Sequence, residues 1–169
     1  MLADINANKI KELSEAIKNI DLKDKSDVKK FVKNYTALIY NHQMVGLIYD
    51  FYEENVEVLK ENRIRLKGIE AVVQDKQVLL AAFPDLTVKI ENIIVSEDGD
   101  GGFKIFRRMR YEGTNSGYTK FGPPTGKSLG NACLGLSMFY MNKKNGRWKI
   151  THEMDMRSTE WMEKTMRND

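Results

Sequence analysis

The sequence holds little of what metal and redox sites are made from: one cysteine, Cys133, and two histidines, His42 and His152, in 169 residues. A single thiol excludes an internal disulfide and a metal site built on several thiolates, and two histidines leave no material for a histidine-rich site. No metal or other cofactor is expected. Long hydrophobic runs are also missing. Nothing approaches the roughly 20 residues that span a bilayer, and the opening MLADINANKIKEL has no apolar segment behind a basic start, so no membrane role is expected and the cytoplasm is the default location. Nor does charge of one sign accumulate. The 27 basic and 24 acidic residues are interspersed, and a net charge of +3 leaves no electrostatic footprint for nucleic acid.

What is present is a globular balance, 41% apolar and 30% charged, in a chain long enough for one core of helices on a sheet. Ile10, Leu13, Ile17 and Ile20 fall at helical spacing and predict an amphipathic helix over residues 6–20. A second helix is signalled by Ser26 as N-cap, followed by Val28, Phe31, Val32, Tyr35, Leu38 and Ile39. A short helix near Met44 gives way to an extended NVEVL. Gly68 then precedes Ile69, Val72, Val73, Leu79 and Leu80 at helical spacing, and Pro84 ends that helix. From Leu86 the period changes to two: strands are predicted around 86–90, 103–111, 129–141 and 147–157, with a short helix after Ser158. Helices gathered first and an antiparallel meander last indicate an α+β fold, a curved antiparallel sheet covered by the N-terminal helices.

FGPPTGKS, residues 121–128, has the look of a phosphate loop. Gly126, Lys127 and Ser128 fit, but Phe121 stands where the first glycine is required and Gly122 is one residue too close. The polar stretch before it and the β-favouring LGNACLGLSMFYM after it lack the strand and helix that hold a nucleotide. The loop is read as a structural turn, rigid at its prolines and bent at its glycines.

In another light the same loop is one of several ordered motifs. FPDL at 83–86, GTNSG at 113–117, FGPPTGK at 121–127, GLSMFYM at 135–141 and NGRWKITHEMD ending at Asp155 together resemble the SnoaL-like polyketide cyclase family, over about residues 30–158. That family shares the α+β cone of nuclear transport factor 2 and ketosteroid isomerase. The resemblance implies a cone domain over 26–169 preceded by an N-terminal helical extension over 1–25, an apolar pocket, and a metal-free ring closure or isomerisation of a small apolar, polyketide-like carbonyl compound.

It also places the family's acid/base carboxylate on Asp155, where desolvation is expected to raise the pKa and fit the group for exchanging protons. Ser137 and Asn115 stand where the family carries titratable residues, and they are expected to orient a carbonyl instead. Strand alternation puts Thr151, Glu153 and Asp155 on one face, and Trp148, Ile150, His152, Met154 and Met156 on the other. Glu153 and His152 are therefore further catalytic candidates, the histidine because its pKa lies near neutrality. Tyr35, Tyr49, Tyr52 and Tyr111 are candidates for lining a cavity for a flat ligand. The face bearing Trp148, Ile150 and Met154 suggests a homodimer. The alternative to an enzyme is a non-catalytic ligand-binding or dimerisation module of the same fold, because a fold does not fix a function.

Overall fold

Apolar residues three and four apart produce the expected helices in the computed structural model, which describes residues 2–18, 20–99 and 101–168, with side chains from residue 6 onward. Helix α1 (Leu2–Lys18) starts earlier than its apolar stripe. Helix α2 (Lys25–Thr36) is capped by Asp24 and not by Ser26, because the Asp24 carboxylate accepts the backbone N–H groups of Ser26 and Asp27 at 2.7 and 2.9 Å. A π-turn, Ala37–Asn41, extends α2, and the widened turn lets the consecutive residues Leu38, Ile39 and Tyr40 all be buried. Two more helices, α3 (Leu47–Phe51) and α4 (Ile69–Ala82), follow before the meander, and α5 (Thr159–Thr165) closes the chain.

The strands are β1 (Tyr52–Lys60), β2 (Arg65–Lys67), β3 (Thr87–Asp98), β4 (Gly102–Glu112), β5 (Leu134–Lys144) and β6 (Arg147–Arg157), in the order β2-β1-β6-β5-β4-β3. The α+β cone is as expected, with one difference. Strand β1 runs parallel to β6, so the sheet is mixed, and only the other pairs are antiparallel. Register breaks in β1 after Tyr52, in β3 after Ile90 and opposite Tyr140/Met141 bend the sheet, as inserted residues do. The buried sides of α2 and α4 join the sheet's inner residues in one core.

The third break overturns the simple alternation expected of β6. Met141 pairs with Ile150 and Tyr140 with His152, so Thr151 is an extra residue. Beyond it the phase flips. Trp148 and Ile150 are buried on the same inner side as Glu153 and Asp155, while His152 and Met156 remain outside.

Strand β5 begins at Leu134 and not near 129, because residues 113–133 form one loop organised around Asn115. Its backbone pairs with Lys127 and Gly126, its side-chain oxygen accepts from Thr125 N at 3.0 Å, and its amide donates to the carbonyls of Ala82 and Gly117 at 2.8 and 3.1 Å. At Gly117 a Cβ would fall on the Ala81 carbonyl, so only glycine lets the loop sit there. FGPPTGKS completes the loop. Thr125 Oγ1 donates to Thr165 O at 2.6 Å and Lys127 Nζ to Arg167 O at 2.6 Å, tying the loop to the end of α5.

Candidate functional site

The register aligns Lys60, Asp155, Ser137 and Arg107 in one row across β1, β6, β5 and β4. Every second residue of a strand points inward, so this row and its neighbours carry charge into the concave side. Charge so placed has to be paired or it costs several kcal/mol. Two networks do the pairing.

The first surrounds Asp155, which is 1% exposed. Lys76, on the buried face of α4 and 3% exposed, donates to Asp155 Oδ2 at 3.2 Å, and Arg157 Nε lies 3.6 Å from the same oxygen. Asp75 receives Arg157 Nη2 on both oxygens at 2.7 and 3.0 Å, Lys76 Nζ at 3.2 Å, and the ammonium of Lys60. The Tyr40 ring centroid lies 5.9 Å from Lys76 Nζ, and the ring meets that of Tyr111 edge-on at 6.0 Å. Tyr111 approaches the backbone of β5 because residue 135 is glycine; a Cβ there would lie 2.5 Å from Tyr111 Cε2.

The second network centres on Arg107. Its Nε donates to Ser137 Oγ at 2.7 Å, Nη1 to Thr36 Oγ1 at 2.8 Å and Nη2 to Glu153 Oε1 at 3.5 Å. Tyr52 OH donates to Glu153 Oε2 at 2.6 Å. Three buried oxygens near these groups have no hydrogen-bond partner among the described residues: Asp155 Oδ1, Tyr111 OH and Tyr35 OH.

The electrostatics depart from the expected raised carboxyl. Burial alone would push Asp155 up, but Lys76 and Arg157 outweigh it and hold the group below its ordinary value of 3.8. Burial would likewise push Lys76 down, yet Asp155 first, then Tyr40 and Asp75, keep its ammonium well above the usual range. Burial raises the phenols of Tyr35, Tyr52 and Tyr111 well above 10.0, with Glu153 adding to the first two and Tyr40 to the third, so each is a neutral donor.

Of the expected site residues, Asp155, Glu153, Ser137, Tyr35, Tyr52 and Tyr111 come together in this interior. His152 does not; it is exposed on the outer face, edge-on to Tyr140 at 6.3 Å. Tyr49 is 46% exposed and donates to Glu70. Asn115 belongs to the loop described above, its amide engaged by backbone. Sequence reading missed Lys76, Arg107, Arg157, Asp75 and Lys60. The signal for the first three was their phase: Lys76 falls at helical spacing with Val72, Val73, Leu79 and Leu80, Arg107 alternates with Ile105 and Met109, and Arg157 alternates with Glu153 and Asp155.

The concavities at the surface of the described residues include one of about 780 Å³ between α1 and the β5–β6 turn and one of about 500 Å³ beside Glu61, Arg157 and Trp161. Asp155 lines neither. Among the described residues no cluster suited to a metal ion occurs, and no helix is long and apolar enough to cross a membrane.

The sequence profile of the SnoaL-like polyketide cyclase family matches residues 29–156. The chain belongs to that family. Solved structures agree on the fold of this SnoaL-like protein. It is similar to AclR, a hydroxylase candidate from Streptomyces galilaeus, at 17% identity over 82% of this chain and 80% of that one, with a TM-score of 0.63. A candidate SnoaL-like polyketide cyclase from Jannaschia sp. CCS1 is also 17% identical, over 74% and 79% of the two chains, with a TM-score of 0.55. An NTF2-like protein with a cystatin-like fold from Novosphingobium aromaticivorans gives 13%, 80%, 82% and 0.57. At such identities the likeness is one of fold. No curated protein sequence matches the chain.

The ion pairs set the acid behaviour of this SnoaL-like domain. A carboxyl held low in the folded state contributes its full stability above its unfolded pKa of about 4 and loses it as pH falls toward the folded value. Lys76→Met strands a buried carboxylate and is expected to cost about 3–5 kcal/mol at pH 7. In denaturant unfolding the deficit should narrow between pH 5 and pH 3, as Asp155 protonates in the variant while staying ionised in the native protein. A constant deficit would mean that Lys76 does not hold Asp155 ionised.

Proposed function

We propose that the interior group is a small-molecule site in which Asp155 moves protons next to a carbonyl, in a ring-closing or isomerising reaction on a small, polyketide-like compound. The observation that carries this reading is that Asp155 Oδ1 and Tyr111 OH, both buried in this interior, each lack a hydrogen-bond partner among the described residues. Each such atom costs about 1–3 kcal/mol while unpaired. A carbonyl compound answers both at once. The neutral Tyr111 phenol donates to the carbonyl oxygen, and Oδ1 accepts the proton from the adjacent carbon. The C–H bond breaks and its electron pair passes into the enolate held by Tyr111. In ring closure the enolate carbon then bonds to a second carbonyl carbon of the same compound, whose C=O π pair moves to its oxygen, and Asp155 returns the proton to that alkoxide, whereas in isomerisation the proton returns to another carbon. Lys76 donates to Oδ2, Arg157 Nε lies 3.6 Å from the same oxygen, and Oδ1 is left to react.

A non-catalytic binding module is the second reading, and the same ion pairs favour it. A carboxylate held below its ordinary pKa is a weaker base, and at 1% exposure it reaches a ligand only if neighbouring side chains move.

A homodimer is proposed as well, with support from the outer face and not from Trp148 and Ile150. Leu59, Met154, Met138, Phe106 and Ile94 are register partners in one row across five strands. Phe106 is 38% and Ile94 56% exposed, and Leu136 and Met156 extend the patch. Contiguous apolar surface of this kind marks an association site. As for location, the lone buried Cys133 suits a reducing compartment, in line with the proposed cytoplasm.

With 1-phenyl-1,3-butanedione as probe, deuterium exchange at the carbon between the carbonyls should be accelerated by the native protein. Asp155→Asn should lower that acceleration about 100-fold or more; equal rates would remove Asp155 from the chemistry, and binding without exchange would favour the module. In sedimentation the native protein should run as a dimer and Phe106→Lys as a monomer of similar thermal stability. A native monomer at tens of micromolar would contradict the interface.

A further inference from the structure

Arg157 belongs to the interior and to the surface at once. Its Nε lies 3.6 Å from Asp155 Oδ2 and its Nη2 holds both oxygens of Asp75, yet the residue also lines the 500 Å³ concavity with Glu61, Ser158, Thr159 and Trp161. One residue therefore connects that concavity with the buried carboxylate.

Arg157 is also the cation that can leave. Without it Asp155 keeps Lys76, and Asp75 keeps Lys76 and Lys60, so no buried anion is stranded. An acceptor for the displaced guanidinium borders the same concavity. Glu61 Oε1 accepts the Thr159 hydroxyl, while Glu61 Oε2 is buried with no hydrogen-bond partner among the described residues. Arg157 Nε is the matching donor. Its 3.6 Å approach to Asp155 is too long for a hydrogen bond, and it makes none.

The concavity is also built to hold a ligand of one kind. Trp161 is 44% exposed, and its indole N–H donates to Leu129 O at 2.8 Å, which fixes the ring as a preset platform. The charged lining residues Glu61, Glu160, Arg157 and Lys164 balance, which favours a neutral ligand. The volume lies within the range of small-molecule sites.

We infer, resting on the interior as the ligand site proposed for this protein, that the 500 Å³ concavity is its mouth and Arg157 its gate. A neutral carbonyl compound lays a flat conjugated body on Trp161. Arg157 turns from Asp155 and Asp75 to Glu61 Oε2 and admits the carbonyl end to Asp155 and Tyr111. The substrate is thus longer than its reacting unit, with the flat part held outside the cone.

Two diketones test the mouth: 1-phenyl-1,3-butanedione carries a flat body, and 2,4-pentanedione has a methyl group in its place. Titration calorimetry of the full chain should show 1:1 binding of the phenyl compound at least about tenfold tighter than that of pentanedione, and Trp161→Ala should remove the preference. In stopped-flow fluorescence, Glu61→Leu should slow association of the phenyl compound about tenfold, because the gate has lost its second acceptor. Thr159→Val, which deletes only the hydroxyl bonded to Glu61, should associate at the native rate. Equal affinity for the two diketones, a preference that survives in Trp161→Ala, native association in Glu61→Leu, or equal slowing in Thr159→Val would overturn the proposal. Binding that depends on Trp161 without deuterium exchange would remove Asp155 from the chemistry and leave the mouth in place. Failure of both diketones to bind at millimolar concentration would overturn the mouth and the interior site together.

Discussion

Pairing of the charges that the cone turns inward is the constraint on which the rest of the structure depends. The side chains of Lys76, Arg107 and Arg157 are almost fully buried, as are those of Glu153 and Asp155, and a lone charge at any of these places would be untenable. The pairings bind distant parts of the chain. Lys76 ties α4 to the last strand, Arg157 returns from that strand to Asp75 on α4, and Arg107 joins the meander to Thr36 at the end of α2. Bending of the sheet at its bulges brings these partners within reach, and the π-turn after α2 adds Tyr40 to the group.

The same constraint bears on the proposed chemistry. Two cations flank one oxygen of Asp155 and keep the group ionised, while the other oxygen and the Tyr111 hydroxyl each lack a hydrogen-bond partner among the described residues. An interior that only needed filling would have no use for a phenol and a carboxylate oxygen left unpaired. Thr36, Ser137 and Tyr52 fully engage the second charge pair, which makes Arg107 and Glu153 more scaffold than reagent.

Much of the architecture was legible in periodicity and punctuation. Helices α2 and α4, the meander and the final helix follow from spacing, and the ordered motifs from FPDL to HEMD pointed to the family. Asp155, Glu153, Ser137 and three tyrosines were legible as site candidates. Their partners were passed over because a lysine or arginine reads as solvated; at Lys76 and Arg107 the phase of the apolar neighbours outweighed residue type, and at Arg157 the phase of Glu153 and Asp155 did. The bulge at Thr151 was not legible, since an inserted residue leaves no composition signal, and it moved Trp148 and Ile150 to the inner face. Asn115 looked like a ligand group, yet the backbone geometry of loop 113–133 claims its amide. The parallel pairing of β1 with β6 joins residues about 95 apart and has no local signature.

The most direct test of this account is the ionisation of Asp155, followed by carbon-13 NMR of its carboxyl as the folded protein is acidified. Paired with Lys76 and Arg157, the carboxyl is predicted to remain ionised down to its ordinary value of 3.8 and to titrate only below it. A midpoint above that value would contradict the account, because burial and not ion pairing would then govern the site.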